Sequence, residues 1–244
     1  MAVFHTPLPN GGSQPRVCDF DDMVLRLVKW HPSTHGLTST YSELVASRVG
    51  LLIGAPVVRG TVVYVEPGLL PTDLASRLTQ PFHVGFTYSP GHNFTAVDYP
   101  AIQNVASLPA AAVHLAWLQI GDQEGHNQYL YQLDQVLPDN TTRKMNHFII
   151  VDQAAICGMH DWSSAALDTP SVPYNLPSHL KNQLELSRVE PLVNVVQALP
   201  EDAIRACFED YPSTWGIGHG LVDKLLDFVL NRRTVLRNVL AANF

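Results

Sequence analysis

Three polar residues pose the chemical question: Asp122, Asn127 and Asp152. Asp122 and Asn127 lie five apart in the run Trp117-Leu-Gln-Ile-Gly-Asp-Gln-Glu-Gly-His-Asn127, and Asp152 follows 25 residues later, directly behind the apolar Phe148-Ile-Ile-Val151. Phosphoryl transfer uses that order. One carboxylate on a loop orients or deprotonates the attacking hydroxyl, while an Asn of the same loop and a second Asp, carried across a hairpin, bind Mg²⁺ and so reach the phosphates. A lysine from an upstream strand then pairs with the phosphates, often steered by a helix glutamate. Lys29 and Glu43 are the candidates for those roles, and Gly11, Gly12 and Ser13 for a loop over the phosphates. Each residue also has a plainer reading. Lys29 could be a solvated charge at a strand end, Glu43 the partner of Thr40 in a capping box, and Asp122 a turn aspartate after Gly121. Gly11 and Gly12 could simply make a turn.

The elements that must position these residues follow from periodicity. Met23-Val-Leu-Arg-Leu-Val-Lys-Trp30 is short, apolar and β-branched, so it reads as a strand with Lys29 near its end. Tyr41, Leu44, Val45, Arg48, Val49 and Leu52 fall on one helical face, and Gly54 and Pro56 close that helix. Thr40-Tyr-Ser-Glu43 reads as its capping box. Val57 to Val65 is a second strand, which together with the first and the helix makes a small α+β lobe. The connection from Tyr88 to Gln103, with Pro90, Gly91 and Pro100, carries the lobe boundary, giving segments 1–98 and 99–244. Beyond it come a helix over Pro109–Leu118 and a hairpin of Tyr129–Leu133 with His147–Val151, turning at Pro138-Asp-Asn-Thr-Thr142. The remainder reads as helical, most clearly from Gly220 to Leu240.

Composition removes several classes of function. The 244 residues carry 15 Lys+Arg against 22 Asp+Glu, a formal net charge of −7, and no extended basic cluster, Arg232-Arg233 being no more than a pair, which leaves no footprint for gripping nucleic acid. With 46% apolar residues and a mean hydropathy of +0.03 the chain is an ordinary globule, and no apolar run is long enough to span a bilayer. Three widely spaced cysteines, without a Cys-x-x-Cys pair, predict free thiols and a cytoplasmic protein. The eleven histidines contain no complete zinc-ligand set, and no Gly-x-Ser-x-Gly elbow supports a serine hydrolase. Trp117, Trp162 and Trp215 are expected in the core.

Taken in order, the motifs resemble the HipA-like kinases, specifically the compact bacterial branch related in its motifs to phosphatidylinositol kinases. Gly11-Gly-Ser-Gln-Pro15 and Leu27-Val-Lys29 are similar to the family's Gly-Gly-Ser/Thr-x-Pro opening and Val-Val-Lys strand. Glu43-Leu-Val-Ala-Ser-Arg48 with Ile53-Gly-Ala-Pro56 resembles its Asn-Glu-Leu-Val-Ala-Ala-Arg helix and Leu-Gly-Leu-Pro stop. Trp117, Asp122 and Asn127 match its Trp-x-x-Asn-x-Asp-Arg-His-x-x-Asn loop, and Ile150-Val-Asp152 its Ile-Asp-His-Gly strand. Pro212-Ser-Thr-Trp215 and Phe228-Val-Leu-Asn-Arg-Arg233 are similar to its Pro-x-x-Trp and Phe-Leu-x-x-Arg-Arg ending. The departures are Ser42 before the helix glutamate, Ile120 and Gln123-Glu124 in the loop, and Gln153-Ala154 after Asp152.

The resemblance implies a two-lobed protein-kinase-like fold of α+β class, with a small strand-rich N-lobe and a mostly helical C-lobe. It implies transfer of the γ-phosphate of Mg·ATP to a hydroxyl, most directly Ser/Thr of this protein or of a protein partner. Lys29, Glu43 and the Gly11-Gly12-Ser13 loop would hold ATP, Asn127 and Asp152 would hold Mg²⁺, and Asp122 would face the acceptor. The departures leave a second expectation open: a nucleotide-binding pseudokinase that presents a surface to a protein partner.

Overall fold

A computed structural model describes residues 3–7, 14–94, 96–123, 127–137, 140–168 and 173–244. The first half of the chain builds a five-stranded antiparallel sheet in the order β1-β2-β3-β5-β4, from β1 (Val3–Pro7), β2 (Arg16–Asp19), β3 (Leu25–Lys29), β4 (Gly60–Tyr64) and β5 (Phe82–Thr87). Side chains alternate across a strand. Val28 therefore faces one side, where it joins Cys18, Trp30, Val63, Val65, Leu74 and Leu78 under the segment that carries helix α2 (Thr72–Ala75). Lys29 faces the other side. Its register partner on β5 is Val84, which packs with helix α1 (Ser39–Leu52) in the main core.

The helix expected from Tyr41 is α1, and it ends as its sequence requires: Gly54 adopts φ +67°, and Pro56 follows. Its start corrects one expectation. The helix begins at Ser39 behind an N-cap Thr38 whose side chain caps nothing, and the Thr40 hydroxyl donates instead to the carbonyl of Trp30 at 2.9 Å. The Thr40–Glu43 capping box does not form, because the Glu43 carboxylate has a stronger partner in the interior.

A second, three-stranded sheet runs β6-β7-β8, from β6 (Gly91–Asn93), β7 (Gln128–Val136) and β8 (Thr142–Ile150). The expected hairpin is β7–β8, and β6 joins it across the connection. Around it pack α3 (Leu108–Leu118), α4 (Ser178–Lys181), α5 (Leu186–Ala198), α6 (Glu201–Arg205) and α7 (His219–Ala241). Every residue of α3 is buried; the small Ala110-Ala-Ala112 face lets its neighbours approach closely, and Trp117 donates its indole N–H to Val229 of α7 at 2.9 Å. Trp30, Trp117, Trp162 and Trp215 are all buried. Residues 151–168 depart from the helical expectation, with only short 3₁₀ turns at Ile156–Gly158 and Ala166–Asp168. Gly158 at φ +75° and left-handed Asp152 and Cys157 break the helical run. Among the described residues no helix is long and apolar enough to cross a membrane.

Candidate active site

The end of β3, the first two turns of α1 and the exit of β8 meet at one point. Lys29 Nζ lies 2.6 Å from Glu43 Oε1 and 2.6 Å from Asp152 Oδ1. Glu43 closes the cluster from the other side, its Oε2 accepting the Gln153 backbone N–H at 2.9 Å. Lys29 and Glu43 are buried, whereas the Asp152 side chain keeps 40% of its surface exposed. A charge removed from water must be paired, and the pairing sets the electrostatics. Burial alone would push the Lys29 ammonium down, but the Glu43 and Asp152 carboxylates together hold it above the ordinary lysine value. Burial pushes Glu43 up to about 7, with Asp152 adding to the rise and Lys29 opposing it. Lys29 holds the more exposed Asp152 well below the usual carboxylate range.

Hairpin register delivers Asp152 to this point. Gln128 pairs with Ile150, so the residues just outside the ladder, Asn127 and Val151, are also neighbours, and the Val151 N–H donates to the Asn127 carbonyl at 3.0 Å. The Ile150 N–H donates to Pro56 at 2.8 Å, which ties the exit of β8 to the end of α1. Asp152 then turns the chain with φ +54°. The cavity beneath Lys29, lined by Trp30, Ser33, His35, Ser39 and Thr40 among others, measures about 10 Å³, room for roughly one water molecule. A larger cavity, about 660 Å³, lies elsewhere on the first sheet between Phe20, Arg26, Tyr64 and Leu69 and includes none of the candidate residues.

The loop before β7 is built differently. Asp122 has φ +53° and an exposed side chain, with His160 Nε2 at 4.0 Å from its Oδ2. Asn127 is buried and its amide donates to the Asp122 carbonyl, which closes the loop on itself. Gln123 is buried between the two acidic positions: its side-chain amide donates to the Asp152 carbonyl at 3.2 Å, and its own carbonyl accepts from Gln128 at 2.7 Å. The structure thus brings Lys29, Glu43 and Asp152 into direct contact, and sets Asn127 one hydrogen bond from the Asp152 segment. Asp122 stands apart at the surface. Gly11, Gly12 and Ser13 lie outside the described residues.

A second seam fixes the loop from β3 to α1. Thr38 donates its N–H and hydroxyl to Asp161 Oδ1 at 3.3 and 2.9 Å, and Gly36, at φ +115°, lies so close to Asp161 that a Cβ there would sit 2.3 Å from Cγ. Ser42 accepts the Trp162 indole N–H at 2.7 Å. The rings of His35 and His160 lie 4.9 Å apart, and His160 is the one that approaches Asp122. Among solved structures the chain is similar to the crystal structure of a Helicobacter pylori proinflammatory kinase, CtkA. The TM-score is 0.60, at 10% identity, over 99% of this chain and 96% of that one. The fold is kinase-like. No protein-family model matches the chain, and no curated protein sequence does.

Gln123, Gln153 and His114 carry no site signal in the sequence, and His160, next to Asp161, suggests only an incomplete metal-ligand set. Gln123 and Gln153 stand out only as departures from the motifs, and neutral amides carry no charge to flag them. His114 sits in an unbroken apolar helix, where an isolated histidine gives no spacing signal.

Proposed function

We propose that this chain is an ATP-dependent phosphotransferase that moves the γ-phosphoryl group of Mg·ATP to a hydroxyl. One observation carries the reading: a buried lysine at a strand end, gripped by a helix glutamate and by the aspartate that follows the hairpin, within a kinase-like fold. Lys29 neutralises phosphate charge, and Glu43 keeps its ammonium from swinging away. Asp152 and Asn127 fit Mg²⁺ by donor chemistry, since a partly exposed carboxylate and an amide oxygen are the hard donors that ion takes. Mg²⁺, when bound, neutralises the charge that builds on the phosphate oxygens. Asp122, exposed beside His160, accepts the proton of the acceptor hydroxyl. Gly11, Gly12 and Ser13 cover the phosphates, and segments 1–98 and 99–244 act as the two lobes that close on nucleotide. The resemblance to HipA-like kinases favours a Ser/Thr hydroxyl, of this protein or a partner.

A second reading is a nucleotide-binding pseudokinase. The direct Lys29–Asp152 ion pair favours this, because nucleotide phosphates must compete with Asp152 for the ammonium. Labelled ATP separates the two. Incubation with γ-³²P-ATP and Mg²⁺ is expected to label protein, or to release phosphate, in a manner lost in Asp122→Asn while nucleotide affinity stays. Mg²⁺-dependent binding without any transfer assigns the pseudokinase, and absence of binding overturns both.

A further inference from the structure

We propose that His114 is a positioning residue for Asp152, acting through the Gln153 side chain; this rests on the reading of Asp152 as the metal-holding carboxylate. Asp152 occupies the left-handed region, which aspartate tolerates better than most residues with a Cβ and which turns the chain sharply into Gln153. The chain beyond it is held from two helices. From α1, Glu43 accepts the Gln153 backbone N–H at 2.9 Å. From α3, His114 Nε2 lies 2.6 Å from Gln153 Oε1, with both side chains sealed from water at 0% and 2% exposure.

The imidazole has one tautomer that fits. With the amide oxygen facing Nε2, that nitrogen carries the proton and donates, and burial pushes His114 down to about 4, so the ring stays neutral near pH 7. Its Nδ1 has no hydrogen-bond partner among the described residues. Among the described residues the hydrogen bond to Gln153 is the one polar contact of this ring. The ring packs closely against α1. Gly50, two helical turns from Glu43, lies so near that a Cβ there would sit 3.1 Å from His114 Cε1. One face of α1 therefore supplies both the direct grip on Gln153 and the wall behind the indirect one.

The test uses the full chain in four forms: wild type, His114→Leu, Gln153→Met and the exchange His114→Gln/Gln153→His. The ratio of ATP affinity with Mg²⁺ to that with EDTA is measured by calorimetry, urea midpoints follow the fold, and ¹⁵N spectra of the imidazole rings report the tautomer. The wild-type spectrum should show a neutral ring protonated at Nε2, changed in Gln153→Met. Either single substitution should lower the Mg²⁺-dependent ratio by about tenfold, the scale of lost outer-shell support at a metal site, and leave EDTA affinity within about twofold. The exchange should restore most of the ratio. If His114→Leu unfolds, Gln153→Met, which keeps the side-chain length, carries the test. An unchanged ratio, or equal loss with and without Mg²⁺, overturns the positioning role. A wild type without any Mg²⁺-dependent ratio overturns the reading of the site itself, and the inference with it.

Discussion

The Lys29–Glu43–Asp152 cluster and the Asp122 loop belong to one candidate site, yet they are built on opposite terms. In the cluster, Lys29 and Glu43 are buried and Asp152 is held by direct contact; at the loop, the Asp122 side chain is exposed, with His160 Nε2 at 4.0 Å. The contrast has a physical cause. Charges withdrawn from water must find partners for the chain to fold at all, so the cluster assembles from the protein alone. A solvated carboxylate owes nothing to folding. One half of the site is therefore a condition of stability, and the other is free to be shaped by chemistry.

The largest expected effect breaks the cluster. Lys29→Ala leaves two carboxylates facing each other without their cation and should cost about 3 kcal/mol in urea unfolding, in the range for one partner lost from a buried pair. A loss under about 0.5 kcal/mol would mean that the cluster does not support the fold. Acid should come next. Burial holds His31 and His114 down to about 4 and His83 to about 3. Below the ordinary histidine value the unfolded chain takes up protons that the folded chain refuses, so stability falls as pH drops from about 6.5 toward 4. Glu43 runs the other way: held up at about 7, it keeps a proton in the folded chain that the unfolded chain releases, which adds stability as pH falls through 7. Three histidines outweigh one glutamate, and urea midpoints between pH 7 and 4.5 should decline; a flat or rising series contradicts the neutral buried rings.

Smaller changes sharpen the contrast. Trp162→Phe removes the indole donor to Ser42 at the seam and should cost about 1 kcal/mol while nucleotide affinity holds. Asp122→Asn should move the urea midpoint least, by under about 0.5 kcal/mol, since it alters an exposed group. A large stability loss there would erase the distinction between the two regions.

Much of this architecture is legible in the sequence, for local reasons. Lys29 at the end of β3, the helix stop at Gly54 and Pro56, and the hairpin that carries Asp152 all come from periodicity and turn chemistry within short windows. Strand β5 escapes because Phe82-His-Val-Gly-Phe-Thr87 mixes a glycine and a histidine into a run buried on both faces, which gives no alternation. β2 is four residues long with charged ends, too short to register. The capping box fails for a tertiary reason: a carboxylate offered a backbone N–H nearby and an ammonium in the interior takes the ammonium. The His114–Gln153 contact spans 39 residues and joins two neutral side chains, so neither charge nor period marks it.

The most direct measurement is a calorimetric titration of ATP, with and without Mg²⁺, into the wild-type protein and Asp152→Ala. Binding to the wild type should depend on Mg²⁺, and that dependence should be lost in the variant. Equal binding with and without Mg²⁺, or no binding at all to a folded wild-type protein, would contradict it.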